Sequence, residues 1–146
     1  MNESTEMTTK TEHGSGTNLM STAQNLTFCS FSTATGEGKA KLFNAMTNPD
    51  KRVADFINKQ IEISDIYAET IQITNEDTGE LELVPRCILI DSKGVTYVAV
   101  SKGVFGDLKR LIQIYGEPAE WEHPLKVEVK QIPVKAGSML KLVLVS

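Results

Sequence analysis

From residue 60 onward the apolar positions recur mostly at every second residue. "QIEISDIYAETIQIT" (60–74) carries Ile61 and Ile63, then Ile66 and Ala68, then Ile71 and Ile73. Alternation with a period of two marks a strand with one buried face. The phase slips between Ile63 and Ile66 and again before Ile71. Bulges are the expected cause, because they bend a strand so that it serves two sides of a barrel. "LELVPRCILID" (81–91) predicts a second strand after the polar turn "NEDTGE", with Pro85 at an edge or bulge. "DSKG" predicts a tight hairpin into a third strand, "VTYVAVS" (95–101).

The period then changes. Val104, Leu108, Leu111, Ile112 and Tyr115 fall on one stripe of a helix, with Ser101 placed to cap its start, Gly116 its end, and Pro118 to prevent continuation. "PLKVEVKQI" (124–132) and "SMLKLVLV" (138–145) return to strict alternation, with Leu125, Val127, Val129, Leu140, Leu142 and Leu144 inward. The order is three strands, a helix and two strands. The expected fold is therefore mainly β with helices: a five-stranded OB-fold Greek-key barrel with a helix between strands 3 and 4 plugging one end.

Ahead of the barrel, "NLTFCSF" (25–31) is a candidate short strand. "TGEGKAKLFNAMTNPD" predicts a helical preface from Glu37 to Thr47, with Leu42, Phe43 and Met46 on one face and Asn48-Pro49-Asp50 as its stop. "KRVADFIN" adds a turn or short helix. Residues 1–25 are rich in Ser, Thr, Asn, Gly and Glu, too polar to offset their ordering entropy by burial. They are expected to form a tail or an oligomerisation arm, with Leu19 and Met20 as its contacts; residues 26–146 form the domain.

Composition narrows the function classes. The chain has 40% apolar and 23% charged residues and a net charge of −4. An acidic total weighs against nucleic acid, which selects for basic surfaces. Distribution softens the objection: Lys10 is the only cation of residues 1–25, against Glu3, Glu6 and Glu12, and the remainder holds 14 Lys and Arg against 16 acids. The start lacks the basic and apolar regions of a signal peptide and no run is long enough to cross a bilayer, so a cytoplasmic protein without membrane contact is expected. Cys29 and Cys87 are expected to be structural thiols, with no disulfide and no metal.

Catalysis finds no support. His13 and His123 pair with no nucleophile at a recognisable spacing, and "TGEGKAK" lacks the last residues of a phosphate-cradling loop. No cofactor is expected. Aromatic and cationic residues are more informative, because non-specific single-strand binders stack bases on rings and follow the phosphates with cations. Strand alternation puts Tyr67, Arg86 and Tyr97 outward on strands 1, 2 and 3, the working face of such barrels. Phe105 falls just off the helix stripe, as platform or core, and Lys109 and Arg110 are exposed on that helix. Packing of either tyrosine in the barrel is the alternative, since apolar residues on both strand faces leave register weakly specified. Trp121, among acids, is expected to pack a loop or meet a partner.

The layout of residues 58–146, centred on "VTYVAVSKGVFGDLKRLIQIYG", with "GKAKLFNAM" ahead of a long first strand, resembles the small single-stranded DNA-binding proteins of phages and of conjugative plasmids from Gram-positive bacteria. The resemblance implies an OB-fold, sequence-tolerant binding of single-stranded DNA, and assembly along the strand as a homo-oligomer. Unlike the bacterial chromosomal single-strand binders, the chain ends in a predicted barrel strand, "LKLVLVS", and carries its polar tail first. The rival expectation is an OB-fold protein-interaction module, which the acidic charge favours.

Overall fold

The structure is a computed structural model, and it describes residues 27–135 and 137–145. The elements run β1 (Thr27–Cys29), α1 (Gly36–Thr47), β2 (Lys51–Arg52), a 3-10 turn (Val53–Phe56), β3 (Gln60–Ile63), β4 (Asp65–Thr74), β5 (Leu81–Ile90), β6 (Thr96–Val100), α2 (Lys102–Tyr115), a second 3-10 turn (Pro118–Glu120), β7 (Leu125–Val134) and β8 (Gly137–Val145). The protein is mainly β. The eight strands of the described residues form one sheet ordered β1-β4-β5-β6-β2 and another ordered β3-β7-β8.

The long strand expected at 60–74 is divided at Ser64. Its first part, β3, pairs antiparallel with β7, and its second, β4, pairs antiparallel with β5. The first phase slip is therefore the corner at which the chain leaves one sheet for the other. The second slip is no bulge: β4 keeps an unbroken register with β5 from Asp65 to Thr74, and Ile71 and Ile73 simply face the other side. Pro85 lies opposite Thr70 of β4, one residue before β6 begins its pairing at Arg86. There its missing N–H deprives no second neighbour of a bond.

Residues from both sheets share one core. Phe28, Ile61, Ile63, Ile66, Ala68, Cys87, Leu89, Tyr97, Ala99, Val127, Val129 and Leu142 pack with Val104, Phe105 and Leu108 of α2. Ser101 caps α2, its hydroxyl accepting from Val104 N at 3.1 Å. Asp107 joins the helix to β8, accepting from Leu142 N at 2.9 Å and from Lys141 Nζ at 3.2 Å. That carboxylate occupies an edge N–H that would otherwise invite another strand.

A second apolar layer lies on the outer side of the large sheet. Cys29, Tyr67, Ile88 and Ile90 pack with Ala45 of α1, with Phe31, Leu42 and Val98 beside them. Covering a face of four apolar side chains removes each from water, at ~1.5–3 kcal/mol for a full-sized aliphatic residue. The face of α1 that does this is Leu42 and Ala45. Phe43 and Met46, expected beside Leu42, are 64% and 38% exposed. Lys41 holds the helix down, its ammonium 2.9 Å from Asp65 Oδ2 and 4.3 Å from the centre of the Phe31 ring. Among the described residues no helix is long and apolar enough to cross a membrane.

Candidate nucleic-acid interface

Residues directly opposite one another across an antiparallel pair share a face. Tyr67 stands opposite Ile88, and Glu69 opposite Arg86, which in turn faces Val100 on β6. This row lies on the outer face, as expected for Tyr67 and Arg86. The Tyr67 hydroxyl donates to Glu69 Oε1 at 3.0 Å, and Arg86 Nη1 donates to Glu69 Oε2 at 3.0 Å. The Tyr67 ring itself is 2% exposed, because α1 lies over that part of the sheet. Burial, and then the Glu69 carboxylate, push its phenol well above the ordinary tyrosine range. As placed, Tyr67 presents no face to a base, and Arg86 enters any interface with its charge already matched by Glu69.

Tyr97 points the other way. It and Ala99 belong to the inner core, whereas Val98 turns to the outer layer and Val100 is exposed, the reverse of the expected alternation. The physical cause is the apolar outer layer: with α1 covering the sheet, both faces of β6 are apolar, and alternation alone does not choose between them. A buried phenol needs a partner, and Asp91 of the "DSKG" turn supplies it, accepting from the Tyr97 hydroxyl at 3.1 Å. Burial and that hydrogen bond push the Tyr97 phenol up to about 12.

Phe105 is core, and Lys109 lies with its ammonium 5.2 Å from the Phe105 ring centre. Arg110 is exposed one position further. Tyr115, expected on the buried stripe, is 44% exposed. Trp121 packs against the core and donates from Nε1 to Gly116 O at 2.8 Å. Leu19 and Met20 lie outside the described residues.

The structure also assembles a cluster that alternation did not reveal. Segment 51–60 leaves β6, with which β2 pairs in parallel, and reaches β7 through a bridge between Ile57 and Val129. Phe56 is half-buried there, its ring in an edge-to-face contact with Tyr97 at 5.1 Å and 87°. The ammonium groups of Lys51 and Lys59 lie 5.9 and 5.8 Å from the centre of that ring. The signal was present in "KRVADFINK", where cations stand on both sides of an aromatic residue, but neither a strand nor a helix period groups them.

Comparison with known families places these features. The model of the family described as phage single-stranded DNA-binding protein, of the Phi29 type, matches residues 21–144. No curated protein and no solved structure matches the chain. The matched span takes in β1 to β7, both helices and all but the last residue of β8. The family is a non-enzymatic DNA-binding one, in keeping with a chain whose sequence offers no catalytic constellation. On that match, the chain belongs to the family of phage single-stranded DNA-binding proteins.

Proposed function

We propose that this protein coats single-stranded DNA as a homo-oligomer, with little regard to sequence, in the replication of a phage or the transfer of a conjugative plasmid. The family match over residues 21–144 carries the reading. The strand connections support an OB-fold as its frame. The divided first strand pairs on one side with β5, which pairs with β6, and on the other with β7, which pairs with β8, while α2 lies in sequence between β6 and β7. These pairings are ones that a partly open five-stranded Greek-key barrel would need, which favours that reading.

Within this reading Lys109 and Arg110 contact phosphates from α2, and Arg86 does so from the outer face of β5. The polar segment before residue 26 forms the arm between subunits, through Leu19 and Met20. Tyr67, Tyr97 and Phe105, buried where they stand, support those cations and the barrel.

Fluorescence anisotropy of a labelled oligo-thymidine, titrated with the whole chain at two salt concentrations, tests the reading. Binding should weaken with salt by a log–log slope of ~0.7 for each phosphate neutralised, and duplex DNA should compete poorly. Absence of binding at low salt would sink it and turn the search to a protein partner for the barrel.

A further inference from the structure

We infer that Phe56, flanked by Lys51 and Lys59, is a base-stacking site for single-stranded DNA, with the two ammonium groups on the phosphates that flank the stacked base. The inference rests on the single-strand-binding reading above and adds to it a place where the strand is gripped.

Three observations carry it. First, the Phe56 ring is anchored but not enclosed: it meets Tyr97 edge to face at 5.1 Å and remains half-buried. Tyr97 is in turn fixed by Asp91, so the ring stands on a rigid support rather than on a free loop. A preordered ring loses little freedom when a base covers it.

Second, two like charges are brought to one ring. The ammonium groups of Lys51 and Lys59 both lie within 6 Å of its centre, and neither makes an ion pair among the described residues. The carboxylates near them in sequence are engaged elsewhere. Asp55 is held by Arg52 through two hydrogen bonds, at 2.9 and 3.2 Å, and Asp50 turns to Thr96, accepting from its backbone N and hydroxyl at 3.0 and 3.1 Å. Two unmatched cations beside an aromatic face are the composition of a stacking-and-phosphate site.

Third, charge is distributed in its favour. Segment 51–60 holds Lys51, Arg52 and Lys59 against Asp55 alone, in a chain whose net charge is −4. By contrast Arg86 is matched by Glu69, Lys141 by Asp107 and Lys41 by Asp65. Within segment 51–60 the cations outnumber the acids, while Asp50, Glu62 and Asp91 act on the Tyr97 hydroxyl behind the ring.

The test uses the full chain, a labelled oligo-thymidine and anisotropy over a salt series, with thermal unfolding as a check of folding. Phe56→Leu retains apolar packing against Tyr97 and removes the ring; affinity should fall about 5- to 100-fold. Lys51→Gln with Lys59→Gln changes only exposed side chains and should lower the log–log salt slope by about 1.4, two phosphates at ~0.7 each. If the native chain binds and the Lys double variant, folded, keeps the native slope and affinity, the site is overturned while the function stands. The double variant decides the matter even where Phe56→Leu unfolds. If the native chain itself fails to bind, the functional reading falls, and this site with it.

Discussion

Single side chains in this protein are governed by what covers them. Tyr67 and Tyr97 are both buried, one under α1 and the other in the core shared by the two sheets, and each commits its hydroxyl to a carboxylate, Glu69 or Asp91. Burial disfavours the phenolate, so their folded-state pKa values lie above the unfolded value of ~10. The thiol of Cys87 is pushed up the same way, to about 12. For groups raised in this sense, the contribution to stability is complete below the unfolded pKa and is lost as pH rises through the folded one. Urea unfolding should therefore show stability falling from about pH 9, where the unfolded thiol starts to ionise, towards 12, and Tyr97→Phe should remove part of that fall above pH ~10. An unchanged pH profile for Tyr97→Phe would mean that this phenol ionises freely in the folded state.

Among the elements, the two helices do different work. α2 packs into the core shared by the two sheets, and its approach to β8 depends on Gly103, where an added Cβ would run into Leu140 O and the Met139 side chain. Gly103→Ala gains helix propensity but must push helix and strand apart. The net effect should be a loss of about 1–3 kcal/mol in unfolding free energy, read by chemical denaturation. Stabilisation instead would show that β8 yields at no cost. α1 lies on the outer face of β4, β5 and β6, and so it determines which parts of that face remain open. The row of Glu69, Arg86 and Val100 lies beyond the residues it packs on.

For the whole molecule, the balance of charge is the main constraint. An acidic chain cannot attract DNA over its entire surface, so binding must be local, where cations gather. Under the proposed coating, contacts between subunits are needed as well as contacts to the strand. Deleting residues 1–20 should leave the affinity for an oligonucleotide long enough for a single subunit nearly unchanged while abolishing cooperative binding to a long one. Analytical ultracentrifugation with both lengths checks this, and equal cooperativity in the shortened chain would place the subunit contact elsewhere.

Much was legible in the sequence because period is local. The strand alternation of β7, the caps and stripe of α2, the Asp91–Gly94 turn and the corner near Ser64 all follow from residues within a few positions of one another. These patterns yielded the succession of three strands, a helix and two strands, and the resemblance of layout already implied single-stranded DNA binding, which the family match supports. What only the tertiary structure decided concerns groups far apart in the chain. Both sides of β6 are apolar by sequence, and the cover that α1 gives the outer face lets Val98 take it while Tyr97 turns inward, where the sequence pattern had pointed it out. Folding segment 51–60 across the gap between β6 and β7 put Lys51 and Lys59 against one ring, although they are eight positions apart and share no helix or strand face. A sequence records which residues alternate; only packing settles which face is covered and which charges are left without a partner.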